Sequence, residues 1–224
     1  GVAGTVLAAV AGLILLAGSG ETASAAGKDV SISSGPAKAT VGTGQWSFSF
    51  ADGRRKTVLR EQAGSGSGPV GRLGFEADGK WAHATRVLKK WQKGKARYFL
   101  LKTTDSSRRL KVAVAPAPGG TIRLTASIVG SVADVDSIGM AFKAPKGQKY
   151  LGFGERSNAV NQRGNEVENW VGEGPYQSVE YQVVKLFVPE WGLRDRPDAT
   201  YFPIPWRMSS AGYGVRAENP NPSY

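Results

Sequence analysis

Hydrophobic residues recur along much of this chain at every second position, in short runs broken by Gly, Pro, Asn and Asp. Trp46, Phe48 and Phe50 in "QWSFSF" fall on one face, the period of a half-buried strand. Asp52-Gly53 follows as a hairpin signal, and "TVLRE" supplies the returning partner. Ala63 to Pro69, "AGSGSGP", reads as a loop. A second hairpin signal, Asp78-Gly79, joins "RLGFEA" to "KWAHATRV". "ARYFLLKTT" reads as a strand. "RRLKVAVAPAPGGTIRLTASIVG" reads as a pair, with Leu110, Val112 and Val114 alternating before a Pro/Gly turn and Ile122, Leu124 and Ala126 after it. "VADVDSIGMAF" is less regular and reads as a helical turn or a connector. "SVEYQVVKLFVPEW" is apolar and β-branched, and the sequence after it alternates strand-like pieces with Pro and Gly. Short strands with frequent turns predict an all-β sandwich.

The N-terminus breaks this pattern. Val6 to Ala17, "VLAAVAGLILLA", is an apolar run shorter than the ~20 residues that span a bilayer, so no membrane span is expected. It leads into "GETASAAGK", where Ala23-Ser24-Ala25 suits a signal peptidase. A buried core helix would share the apolar run, but the abrupt change to polar sequence after Gly27 favours export. Residues 1–26 are read as a secretion signal without its basic n-region, 27–44 as a small, polar, flexible lead-in, and 45–224 as the sandwich domain. "ENPNPSY" follows "YGVRA" where a last strand should be entering its turn. The domain is therefore expected to be incomplete at its C-terminal end.

Composition narrows the chemistry. A hydrophobic fraction of 41%, with 6 Trp, 7 Tyr and 8 Phe, supports a sizeable core. The absence of cysteine excludes a disulfide scaffold, a thiolate metal site and a thiol nucleophile. His83, the single histidine, argues against a His-rich metal site or a Ser-His-Asp triad, and amid "KWAHATRVL" it reads as a surface strand residue. No metal or cofactor is expected. The net charge is +11, with much of the excess in "RVLKKWQKGKAR" (Arg86 to Arg97), where Trp91 and Tyr98 stand in or beside it. Basic residues interleaved with aromatics suit nucleic acid, and alternating lysines also guard strand edges. Export favours the solvated hairpin, so no nucleic acid is expected as a partner.

One segment departs from the strand pattern altogether. "GFGERSNAVNQRGNEVENW", Gly152 to Trp170, is too rich in glycine and polar residues for a core strand. With its flanks, "YLGFGERSNAVNQRGNEVENWVGEGP" resembles the N-terminal domain of glycoside hydrolase family 31, the α-glucosidase and sulfoquinovosidase group. Gly152, Gly154, Glu155 and Arg156, then Arg163-Gly164, then Trp170 and Glu173 carry the family pattern. "YFPIPWRMSSAGYGV", Tyr201 to Val215, is similar to the same family's strand pair through Phe202, Pro205, Trp206, Ser209, Ser210, Gly212, Tyr213 and Gly214. The resemblance implies a galactose-mutarotase-like β-supersandwich packed on a catalytic (β/α)₈ barrel. The family's catalytic aspartates lie in that barrel, which needs about 250 residues. This fragment alone is therefore expected to be inactive, with no catalytic residue of its own.

In the family this loop reaches the mouth of the barrel pocket. The resemblance implies that Glu173 accepts hydrogen bonds from sugar hydroxyls and that Trp170 stacks on a pyranose; Trp170 as a core or interface aromatic is an equal alternative. Glu155 and Arg156 are expected to hold the turn ahead of touching substrate. Ser209, Ser210 and Tyr213 read as hairpin and packing residues, since no base accompanies them. Glu166 with Glu168, and Glu173 with Glu180, read as solvated loop carboxylates and not as a dyad. The favoured reading is a fragment of an exported retaining α-glycosidase acting on an α-linked glycoside or oligosaccharide, with the barrel as its intramolecular partner. "QRGNEVENWVGEGP" is closer to the sulfoquinovosidase-like branch. A free-standing carbohydrate-binding sandwich or lectin is the alternative, and an exported interaction module with a basic face is a third.

Overall fold

Alternation along the first half of the chain becomes two facing antiparallel sheets. The computed structural model describes residues 27–172, 178–187 and 197–218. The chain divides into two compact units, Gly1–Lys143 and Ala144–Tyr224. In the first unit β1 (Val30–Ser34), β2 (Ala37–Thr43), β3 (Trp46–Ala51) and β4 (Thr57–Arg60) pair in chain order as a four-stranded sheet. A six-stranded sheet is built from β5 (Gly74–Ala77), β6 (Lys80–Lys93), β7 (Ala96–Thr103), β8 (Arg109–Ala117), β9 (Thr121–Val129) and β10 (Val135–Gly139), in the order β10-β5-β6-β7-β8-β9.

The core lies between the sheets because both contribute one apolar face. Ile32, Ala39, Val41, Trp46 and Phe48 meet Phe75, Val87, Phe99, Leu101, Leu110, Val112 and Val114. Trp46 stands edge-on to Phe99, with centroids 6.1 Å apart and planes at 66°. Burying each such aromatic or aliphatic side chain contributes roughly 1.5–3 kcal/mol. The Asp78-Gly79 signal is realised as a two-residue turn with φ of 49° and 68°, the left-handed pair that matches strand twist.

The structure departs from the sequence pattern in four places. Residues 27–44 are not a flexible lead-in: they form β1 and β2, and Ile32, Ala39, Val41 and Thr43 are buried in the sandwich. "VADVDSIGMAF" supplies β10, which pairs with β5 through a bulge between Val135 and Ser137. The basic hairpin guards no edge, since β6 and β7 are interior to the six-stranded sheet. His83 is fully buried, not a surface residue. Its Nδ1 lies 2.6 Å from the Arg72 carbonyl and its Nε2 2.8 Å from the Gly68 carbonyl. A neutral ring donates to one of these oxygens and a doubly protonated ring to both. The loop of small residues after β4 thus folds over His83, and the ring stacks on Trp81 at 5.9 Å.

Beneath the same loop lies Glu61, whose Oε1 accepts from Trp46 Nε1 at 2.9 Å and from the Leu73 N–H at 2.7 Å. Its buried Oε2 has no hydrogen-bond partner among the described residues. Burial pushes the Glu61 carboxyl above its ordinary value, against the two donors and Arg72, which pull the other way.

In the second unit β11 (Tyr150–Gly154), β12 (Pro203–Ser209) and β13 (Tyr213–Arg216) form a three-stranded antiparallel sheet. A short helix, α1 (Ser178–Val184), falls in the β-branched stretch where no helical period is visible, with Glu180 in its first turn. Among the described residues no helix is long and apolar enough to cross a membrane. The segment read as a signal, residues 1–26, lies outside the described residues.

Candidate functional site

The glycine-rich segment begins as a strained strand end. Gly152, Phe153 and Gly154 have φ of 105°, 68° and 85°, and the β11–β12 register shifts between Gly152 and Gly154. Consecutive left-handed residues bend β11 out of the ladder, and glycine adopts that geometry without a Cβ clash. The bend brings the Gly154 Cα against β12, where a Cβ would press into the Phe202 carbonyl oxygen and lie 2.8 Å from the Ile204 nitrogen. The Glu155 N–H then donates to the Phe202 carbonyl at 3.2 Å, while its side chain points to solvent.

Arg156 holds the turn. Its Nε donates to the Phe153 carbonyl at 2.9 Å, Nη1 to the Asp198 carbonyl, and Nη2 to the Glu168 carbonyl at 2.9 Å and to Asn169 Oδ1 at 3.2 Å. The Glu168 N–H in turn donates to Asp198 Oδ2 at 2.6 Å. Only a planar, multiply donating guanidinium can tie strand end, loop and the 197–200 segment together in this way. Glu168 is consequently buried and not a solvated loop carboxylate, whereas Glu166 is exposed.

The Asn-rich centre is explained by Gln162, which the sequence reading did not single out. Gln162 is buried, and its N–H donates to the Tyr150 carbonyl at 2.8 Å. Its side-chain amide exchanges hydrogen bonds with Asn158 at 3.0 and 3.2 Å and accepts from Asn165 Nδ2 at 3.1 Å. Asn161 Oδ1 accepts from the Tyr150 N–H at 3.0 Å. Carboxamides here replace the backbone ladder that a loop of this length lacks.

Arg163 has a separate task. It donates to the carbonyls of Ala144, Pro145 and Gln148 at 3.0–3.2 Å, and its guanidinium lies 5.9 Å over the Tyr150 ring. Arg207 lies 5.0 Å over the same ring. The Tyr150 phenol is nevertheless raised above its ordinary value, first by burial and then by neighbouring Tyr213, with both arginines opposing. Gly164, with φ of 86°, makes the turn after Arg163. Ser209 and Ser210 accept hydrogen bonds from the Ala211 and Lys149 N–H groups at 3.1 and 2.9 Å, and the Tyr213 hydroxyl accepts from Gln148 Nε2 at 3.1 Å. These contacts close the β12–β13 hairpin against the start of β11.

At the far end of the loop Trp170 is 42% exposed, although its neighbours are fixed. Glu168 and Asn169 are held by Arg156, and the Gly172 N–H donates to the Thr200 carbonyl at 3.0 Å. A ring exposed on an immobilised backbone can stack on a flat apolar surface at little entropic cost. Glu173, the residue singled out for sugar hydroxyls, lies outside the described residues.

Comparison with known families decides the identity of this arrangement. The model of the glycosyl hydrolase 31 N-terminal galactose mutarotase-like domain matches residues 18–224. The chain belongs to this family. No curated protein and no solved structure matches it. The glycoside hydrolase 31 match spans both compact units, and the antiparallel sheets are those expected of a mutarotase-like β-sandwich. It begins inside the segment read as a signal.

Proposed function

We propose that this chain is the N-terminal domain of an exported retaining α-glycoside hydrolase. It packs on a catalytic (β/α)₈ barrel and rims that barrel's pocket with the loop of residues 152–174. The observation that carries this reading is the family match across residues 18–224, joined to a loop tied down at Glu155, Gln162, Glu168 and Gly172 while Trp170 is left exposed. In this reading Trp170 stacks on a sugar ring, Glu173 accepts from its hydroxyls, and the barrel supplies nucleophile and acid/base.

A second feature supports a partner domain. Ile204, Trp206 and Met208 alternate along β12 and are all exposed, so one face of the three-stranded sheet presents an apolar stripe to solvent. Stripes of this kind mark surfaces meant to be covered. The apolar run of Val6 to Ala17 followed by Ala23-Ser24-Ala25 supports export.

Aryl α-glycoside kinetics test the proposal. The 224-residue chain alone should give no turnover, and the same chain continued into its barrel should turn over with retention of configuration. Turnover by the isolated chain that disappears on mutating one of its own carboxylates would contradict the proposal.

A further inference from the structure

The outward face of the six-stranded sheet is cationic, and it lies in the first unit, apart from the loop of residues 152–174 in sequence. On the inward side of β6, β7 and β8, Val87, Phe99, Leu101, Leu110, Val112 and Val114 are buried. The register places the opposite set on the outer face: Arg86 beside Lys102, Lys89 beside Leu100, Trp91 beside Tyr98, and Lys111 beside Leu100 across the next ladder. Arg86, Lys89, Lys102 and Lys111 are exposed. Strands β6 to β9 contain no Asp or Glu at all. Asp105 and Asp134, on the loops after β7 and β9, pair with Arg108 at 3.2 and 2.5 Å. Like charges gathered on four strands that carry no acid repel one another, which a merely solvated face would relieve by interspersing acids.

One built feature stands on this face and a second borders it, where Gln45 from the turn between β2 and β3 bridges to Arg86. Trp91 and Tyr98 stack across the ladder with centroids 5.3 Å apart and planes within 13°, and Lys89 Nζ lies 5.7 Å from the Trp91 ring. Some four residues along β7, about 13 Å at ~3.3 Å per residue, a cleft of about 460 Å³ is lined by Gln45, Thr85, Arg86, Lys102, Thr103 and Thr104. Arg86 and Lys102 provide charge there, and the exposed Gln45 carboxamide and Thr104 hydroxyl provide hydrogen bonds of the kind a polyhydroxylated ligand exchanges, whereas the Thr85 and Thr103 hydroxyls donate to backbone carbonyls.

We propose that this face binds an acidic polysaccharide, with carboxylates of the polymer held by Arg86, Lys102 and Lys111 and a sugar ring seated against Trp91 and Tyr98. The choice of a saccharide over another polyanion rests on the family membership and on the Gln45 carboxamide and Thr104 hydroxyl beside Arg86 and Lys102. It does not rest on the rim reading, so the two can fail separately.

Titrating the 224-residue chain with polygalacturonate, with dextran and with oligo-dT as controls, tests this. Polygalacturonate should bind, dextran should not, and oligo-dT should bind at least ~tenfold more weakly. Raising salt from about 50 to 200 mM should weaken the polygalacturonate complex, as counter-ion release requires. The pair Lys102→Glu and Lys111→Glu should weaken it at least ~tenfold. Trp91→Ala should weaken it while leaving the salt dependence in place. If circular dichroism shows that the charge-reversed pair does not fold, Lys102→Gln with Lys111→Gln is read by the same criterion. No binding of polygalacturonate, dextran binding as well as polygalacturonate, oligo-dT binding as tightly, or variants that bind like the parent would each overturn the proposal.

Discussion

Gly154 lies against the Phe202 carbonyl so closely that no β-carbon fits between them. That contact sets where β11 leaves the sheet and where the Arg156 turn begins. Gly154→Ala would meet both the backbone of β12 and a φ of 85°. It should cost about 2–3 kcal/mol, above the entropic gain that Ala brings at compatible sites. A melting temperature equal to the parent's would show that β11 does not depend on this approach.

Arg156→Lys isolates geometry from charge. A lysine keeps the cation but cannot reach Phe153, Glu168, Asn169 and Asp198 together. Amide exchange across residues 157–172 should quicken, while exchange in the Phe99–Leu110 region of the first unit should stay as in the parent. Unchanged protection of the loop would remove Arg156 as its anchor.

Glu61 makes stability depend on pH with a definite sign. Its folded value is raised above the ordinary 4.5, so its contribution is fully present below that value and is lost as pH rises through the folded one. Glu61→Gln keeps an acceptor for Trp46 and Leu73 and does not titrate. The melting temperature of the variant relative to the parent should therefore rise between pH 4 and pH 8. A difference that is flat or falls with pH would contradict the assignment.

His83→Phe tests the buried histidine. Phenylalanine fills a similar volume but carries no N–H for the Arg72 and Gly68 carbonyls that flank the ring. Losing buried hydrogen-bond partners should cost about 2–3 kcal/mol. Stability within 0.5 kcal/mol of the parent, the range of about ±0.5 kcal/mol seen for surface changes, would return His83 to the surface-like role its sequence context suggests.

Strands with large alternating side chains were legible in the sequence: Trp46, Phe48 and Phe50 of β3, or Leu110, Val112 and Val114 of β8. β1 and β2 escaped because Ala39 and Thr43 pack with small side chains, and Gly42 with bare backbone, which contrast weakly with their polar neighbours. The burial of His83 and Glu168 was invisible for another reason. Each is covered by chain distant in sequence, the loop at Gly68–Arg72 in one case and Asp198 in the other. The loop motif from Gly152 to Trp170 was legible as a resemblance, yet nothing in it disclosed that Gln162 is its hub. That role follows from β11 being an edge strand: the Tyr150 N–H and carbonyl face away from β12 and need partners, which Asn161 and Gln162 supply.

The apolar stripe on β12 predicts behaviour in solution. The 224-residue chain should self-associate, and Trp206→Lys with Met208→Lys should suppress this in light scattering without lowering the melting temperature by more than about 0.5 kcal/mol in equivalent stability. Equal association of parent and variant would mean that the stripe is not what drives it.

The rim itself is tested most directly by Glu173→Ala in the protein that carries the barrel, measured as kcat/KM on α-glycosides beside its melting temperature. Loss of one charge-assisted hydrogen bond to substrate should lower kcat/KM by roughly ten- to a hundredfold, the equivalent of about 1.5–3 kcal/mol, while the melting temperature stays unchanged. An unchanged kcat/KM across several α-glycosides would return the whole loop to scaffolding.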